Sequence, residues 1–192
     1  MSLSAITRTF VAVFPPPAVV AALDAAVAPV RGVRDGVAWV ASSNLHVTLR
    51  FLGDLAAPEV EAARRAVLGA ASDVAPFAVA TGGPGAFPGP SRPRVLWIGA
   101  RSGAAELVAL ASRVEKALVR EGFPPAEKPF TPHLTVGRVR ADSPPALAAA
   151  RFLGLSLPSL DFEVGAITLV ASQLGAGGSR YAPLLEAPLV RA

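Results

Sequence analysis

LHVTLRFLGD at residues 45–54 decides how this chain is read, because PHLTVGRV at 132–139 repeats its opening. His46-Val47-Thr48-Leu49 and His133-Leu134-Thr135-Val136 share the frame His-apolar-Thr-apolar, and the chain has no other histidine. On an extended strand successive side chains point to opposite faces. Each motif therefore sets an imidazole and a hydroxyl on one face, with apolar residues on the other. Arg50 continues the first polar face in phase, so a fixed cation is expected beside His46 and Thr48.

Outward from the motifs, local signals give an α+β order. A strand is expected over Thr7–Phe14, ended by Pro15-Pro16-Pro17, and a helix over Ala18–Val30. Ser42-Ser43-Asn44 reads as a turn before the first motif strand, which ends at Gly53-Asp54. Pro58–Ala71 opens with Pro and Glu as a helix does. Strands near Phe77–Ala80 and Arg94–Ala100 flank TGGPGAFPGPSRP, whose Gly/Pro content is read as a loop without regular structure. An amphipathic helix fits Gly103–Glu121, closed by Gly122 and Pro124-Pro125. An Ala-rich segment near Ser143–Phe152, a strand over Asp161–Ala171 and a last strand over Tyr181–Val190 follow the second motif. The motifs lie 133 minus 46, or 87, residues apart, a faint repetition of one per half.

Composition narrows the function classes. Cysteine is absent, which removes disulfide frameworks and thiolate metal sites and fits a reducing cytoplasm. No apolar run approaches the roughly 20 residues needed to cross a bilayer, so no membrane role is expected. Net charge is +4, from 18 basic and 14 acidic residues, and Lys116 and Lys128 are the only lysines. Arginine's planar fork suits phosphate recognition.

Two imidazoles lining one groove make an acid–base pair, since an ordinary pKa of roughly 6.5 lets one be neutral while the other is protonated near neutral pH. A phosphodiester suits that arrangement: one histidine takes a proton from attacking water, the other gives one to the departing ribose oxygen, the threonines bond the non-bridging oxygens, and arginines, with Arg50 and Arg138 as the phosphate-binding candidates, stabilise the phosphorane-like charge. The chemistry needs no metal or cofactor. A metal site would need more ligands than two histidines, yet Asp54 is the only carboxylate near either motif and HExxH is missing. A Ser-His-Asp hydrolase lacks its GxSxG elbow.

RTFVAVFPPP, WVASSNLHVTLRFLGDL, FPGPSRPRVLWIGA, KPFTPHLTVGRV and ITLVASQLGAGGSRYAPL together resemble the two-histidine phosphoesterases, specifically the bacterial RNA 2',3'-cyclic phosphodiesterases first described as 2'-5' RNA ligases. The resemblance implies one two-lobed domain over residues 1–192, with His46–Leu49 in one lobe and His133–Val136 in the other. Two antiparallel sheets would face a central cleft, helices outside, the lobes related by a pseudo-twofold axis. It implies metal-independent opening of an RNA 2',3'-cyclic phosphate to a 2'-phosphomonoester, with the reverse 2'-5' ligation accessible in vitro. His46 would be the proton donor, His133 the acceptor, and Thr48 and Thr135 the phosphate ligands.

Arg138 matches a basic residue of the family pattern, although simple alternation from His133 puts it on the opposite face; a bulge near Gly137 would reconcile the two. Val136-Gly137 replaces the Leu-Ala common in relatives. Phe10 and Phe14 share one face of the first strand, as core or as a stacking surface for a base. The expected partners are RNA with 2',3'-cyclic phosphate ends or small cyclic phosphodiesters, met by a cytoplasmic monomer. A relative acting on small cyclic nucleotides or ADP-ribose cyclic phosphate, and a non-catalytic RNA-binding protein, are the competing readings.

Overall fold

Alternation of side chains along the first strand sorts the molecule into two faces. β1 (Thr7–Val13) sends Val11 and Val13 into the main core and Phe10 and Ala12 to the other side, where they form a small cluster with Val170. A computed structural model describes residues 6–32, 36–140, 147–175 and 178–190. The remaining elements are α1 (Pro17–Val27), β2 (Val37–Trp39), β3 (Val47–Leu55), α2 (Ala57–Ala71), β4 (Phe77–Phe87), β5 (Val95–Ser102), α3 (Ala104–Arg120), β6 (His133–Val139), α4 (Leu147–Leu153), β7 (Asp161–Val164), β8 (Ala166–Gly175) and β9 (Gly178–Pro188).

The strands form a curled antiparallel half-barrel in the order β7-β4-β5-β6-β3-β1-β8-β9, with β2 paired to β6. Two wings, one of five strands with β2 and one of four, meet at the centre through β3 and β6, the strands that carry the motifs. That seam has a single registered pair, Val47 with Leu134. The two expected sheets are thus wings of one hydrogen-bonded sheet curling around a concave face.

The convex face carries the core. α3 buries Leu107, Leu110, Ala111, Val114, Ala117 and Leu118, the spacing of one helical stripe. Full burial of a leucine contributes roughly 1.5–3 kcal/mol. The helix stops where Gly122 turns to φ +93° and Phe123 N–H donates back to Leu118 O at 3.0 Å. α2 begins with Ala56 N–H donating to Glu59 Oε2 at 2.7 Å, which satisfies one of the helix's orphan amides.

Several expected boundaries move. The helix at Ala18–Val30 ends at Val27 and tightens into a 3-10 turn over Ala28–Val30, where Pro29 cannot supply an amide. The Asp161–Ala171 strand breaks at Gly165 into β7 and β8. Of the Ala-rich stretch, Ser143–Ala146 lies outside the described residues.

The main correction falls on TGGPGAFPGPSRP. Thr81–Phe87 is strand, part of β4, and pairs with β5. A register shift between Thr81 and Pro84 absorbs one extra residue, and bulges are where a sheet tolerates proline. Two of its glycines serve close approach: a Cβ on Gly82 would lie 3.1 Å from Arg101 N, and one on Gly85 would lie 2.2 Å from the Trp97 ring.

Candidate active site

β3 and β6 run antiparallel about Val47 and Leu134, each 3% exposed. Extending that register sets His46 across from Thr135 and Thr48 across from His133. Val47, Leu49, Leu134 and Val136 are buried, while His46, Thr48, His133 and Thr135 are half-buried. The four polar side chains therefore share the concave face at the seam.

Each imidazole is anchored the same way. His46 Nδ1 donates to Asn44 O at 2.7 Å, and His133 Nδ1 donates to Thr131 O at 2.7 Å. A carbonyl can only accept, so Nδ1 carries the proton and Nε2 is the basic nitrogen in both neutral rings. His46 Nε2 in turn accepts the Thr48 hydroxyl at 2.8 Å. Asn44 is itself held by Nδ2 donating to Ser179 O at 2.7 Å, which ties the turn before His46 to β9.

A bulge follows the threonine in both strands. On β6, Trp97 pairs with Thr135 but Leu96 pairs with Gly137, so Val136 is extra. On β3, Ala12 pairs with Thr48 but Val11 pairs with Arg50, so Leu49 is extra. One extra residue reverses the alternation beyond it. Arg138 is thereby returned to the concave face, and its charge lowers the pKa of both histidines.

The same device corrects Arg50. It pairs with core-facing Val11, leaves the His/Thr row, and places Nε 2.8 Å from Glu115 Oε2 on α3. Its position on the concave face is taken by Phe51, paired with Phe10 and 46% exposed.

Aromatic rings wall the site on both sides, and most of them come from strands far away in sequence. Phe10, Tyr181 and Phe14 lie 4.8, 5.3 and 5.6 Å from the His46 ring centre. Phe87 lies edge-on to His133 at 5.1 Å, with Trp97 at 6.2 Å. Phe10 is buried, but in the small concave cluster beneath His46 instead of the main core. Phe87, Trp97 and Tyr181 are residues that motif reasoning passes over, although all three fall in stretches that carry the family resemblance.

Burial is the largest influence on both histidines and pushes each below its usual value. The Nδ1 bond to Asn44 O opposes this at His46, while nearby His133 and Arg138 add to it. At His133 the bond to Thr131 O opposes burial, and Arg138 lowers the pKa further. Burial raises the Tyr181 hydroxyl, against Arg138 and a bond with Ser179. From Thr48, His133, Thr135 and Arg138 a groove of about 1080 Å³ extends along Phe123–Thr131.

A curled antiparallel sheet with two His-x-Thr rows on its concave face defines a two-histidine phosphoesterase architecture. Residues 15–176 match the family model described as the 2'-5' RNA ligase superfamily. The chain belongs to that superfamily. It is 38% identical over 150 residues to a chain of Aeropyrum pernix named RNA 2',3'-cyclic phosphodiesterase, covering 77% of this chain and 83% of that one. That relative is archaeal, so membership extends beyond the bacterial branch named by the resemblance. The crystal structure of TT0787 of Thermus thermophilus matches with a TM-score of 0.79 at 33% identity, over 95% of this chain and 97% of that one. That of E. coli LigT complexed with 3'-AMP matches at 0.77 and 26% identity, over 96% and 99%.

Proposed function

We propose that this chain hydrolyses RNA 2',3'-cyclic phosphate ends to 2'-phosphomonoesters by acid–base catalysis between His46 and His133. The observation that carries the reading is the shared anchoring of the two rings. Each Nδ1 is committed to the carbonyl two residues upstream, so Nε2 is the nitrogen left for proton transfer. The names of the curated relatives support the substrate class.

In the proposed reaction water attacks phosphorus on the face opposite the 3'-oxygen. His133 Nε2 takes the water proton as the new P–O bond forms. The P–O3' bond breaks, and protonated His46 gives its Nε2 proton to O3'. Two acid–base groups of this kind contribute about 10²–10⁴-fold each. Thr48 and Thr135 hydrogen-bond the non-bridging oxygens, with the Thr48 hydroxyl released from His46 Nε2. Arg138 supplies the positive charge that stabilises the pentavalent phosphorus. The diester's own negative charge favours protonation of His46, offsetting burial and Arg138. One chain supplies every group named here, as suits a single two-lobed monomer, and the same steps with an RNA 5'-hydroxyl attacking phosphorus in place of water give 2'-5' joining.

The test is turnover of a short RNA ending in a 2',3'-cyclic phosphate, in excess chelator, by the wild type, His46→Ala and His133→Ala. A 2'-phosphate product that both substitutions abolish supports the mechanism. Turnover indifferent to either histidine, or a 3'-phosphate product, would reject it.

A further inference from the structure

Arg50 and Glu115 take no part in the reaction proposed above, yet both grip the chain that follows α3. Their ion pair is 2.8 Å long, with side chains 17% and 27% exposed. Arg50 Nη2 donates to Pro124 O at 2.6 Å, and Glu115 Oε1 accepts Ala126 N–H at 2.6 Å. Arg50 Nη1 donates to Phe51 O at 3.1 Å. The pair thus binds one carbonyl and one amide of the same turn and ties that turn to β3.

The gripped turn opens residues 123–132, which have no helix or strand. Prolines at 124, 125, 129 and 132 remove four of its backbone donors, leaving few amides that could fasten it to a neighbour. Side-chain tethers take over that task. Phe123, Lys128 and Phe130 from this segment wall the groove that starts at His133 and Arg138. At about 1080 Å³ the groove reaches the top of the roughly 300–1,000 Å³ range typical of small-ligand sites. A cyclic phosphate occupies the 3' end of an RNA, so the rest of the strand leaves the site in one direction, 5'-ward.

The geometry points to Arg50 and Glu115 as positioning residues that hold the Phe123–Thr131 wall in place to receive the nucleotides 5' of the cyclic end. The inference rests on the RNA-end reading above and gives that site a preference for oligonucleotides over mononucleotides. Both terminal nitrogens of Arg50 already donate to backbone carbonyls, and its Nε lies in ion-pair contact with Glu115. Arg50 and Glu115 line the same groove as Thr48, but with its guanidinium taken up by those oxygens Arg50 acts through the wall.

The test compares a 2',3'-cyclic mononucleotide with a tetraribonucleotide ending in the same group, using wild type, Arg50→Ala, Arg50→Lys, Glu115→Gln and the Ala/Gln double variant. Hydrogen exchange of residues 123–132 is followed in parallel, with thermal melting as a folding control. Arg50→Ala and Glu115→Gln are each expected to raise KM for the tetranucleotide about tenfold with kcat within about twofold, the double variant being no worse than either alone. Exchange at Ala126 should quicken, cyclic mononucleotide kinetics should hold, and lysine, lacking the fork, should not rescue. Loss of kcat on both substrates in Arg50→Ala, with Glu115→Gln like wild type, would return Arg50 to the phosphate and overturn the inference. An unmoved tetranucleotide KM would overturn it too. Wild type inactive on both substrates would instead sink the RNA-end reading itself.

Discussion

Val47 pairs with Leu134 in the single backbone register that joins β3 to β6. Two wings, each stiffened by extensive antiparallel pairing, are fastened to each other across the centre of the sheet by this contact and the core behind it. Because the pair sits between His46 and Thr48 on one strand and between His133 and Thr135 on the other, the distance across the site follows the packing of two buried apolar side chains.

Leu134→Ala is therefore expected to cost both stability and geometry. Truncating a buried leucine costs about 2–5 kcal/mol, read from urea unfolding. The comparison is Leu110→Ala, a residue 1% exposed on α3, away from the seam. Both should be destabilised, but only Leu134→Ala should lose kcat under folding conditions, since a displacement of about 1 Å at a reacting centre costs around 10²-fold. Equal kcat in the two folded variants would show that the seam does not set the site.

The pH dependence follows from burial of the two rings. Both imidazoles are pushed below the ordinary value of 6.5. In the free enzyme the productive form has one proton on the pair, so kcat/KM should be bell-shaped, with its maximum on the acid side of 6.5. The bound diester's negative charge favours imidazolium, so the kcat profile should lie at higher pH. A kcat/KM profile that falls only above about pH 8 would contradict the burial argument. The same shifts act on stability: the unfolded chain takes up protons first as pH drops through 6.5, so the neutral, buried rings stabilise the fold above that value and progressively less below it.

Arg138→Ala should move that profile in a direction a purely structural role would not. Its positive charge disfavours imidazolium at His46 and His133, so removing it should shift both limbs to higher pH. It should also cut kcat/KM by about 10²–10³-fold, the usual loss when a preorganised stabilising donor is deleted. Inorganic phosphate, titrated as a competitive inhibitor, should bind more weakly. A lower rate with limbs unmoved would place the guanidinium beyond electrostatic reach of the imidazoles.

The site is legible in the sequence wherever one strand's own alternation decides the answer, and not where the partner strand does. His46 shares a face with Thr48, and His133 with Thr135, because a single residue lies between the members of each pair. The extra residues Leu49 and Val136 show only in the pairing with β1 and β5. Alternation alone therefore misplaces Arg50, while the bulge expected near Gly137 returns Arg138 to the cleft. Phe87, Trp97 and Tyr181 reach the histidines from distant strands, so no local pattern could show their contacts. Thr81–Phe87 escapes a local reading for a related reason: Gly82 and Gly85 look like loop residues until the β5 backbone and the indole lying against them are known.

Gly85 tests that last contact. It pairs with Trp97 across β4 and β5, and a methyl group there would fall 2.2 Å from the indole's six-membered ring. No ring can accept that approach, so Gly85→Ala must push Trp97 off the strand or spread the two strands. Trp97 contacts Phe87 at 5.2 Å and His133 at 6.2 Å, and Phe87 meets His133 edge-on, so the displacement is passed to the imidazole by packing. Overpacking of this kind costs about 1–3 kcal/mol. Gly83→Ala is the control, since a Cβ there meets nothing within 4 Å. Gly85→Ala should lower kcat and change tryptophan fluorescence, while Gly83→Ala should leave both close to wild type. If the two variants behave alike, Trp97 does not support His133.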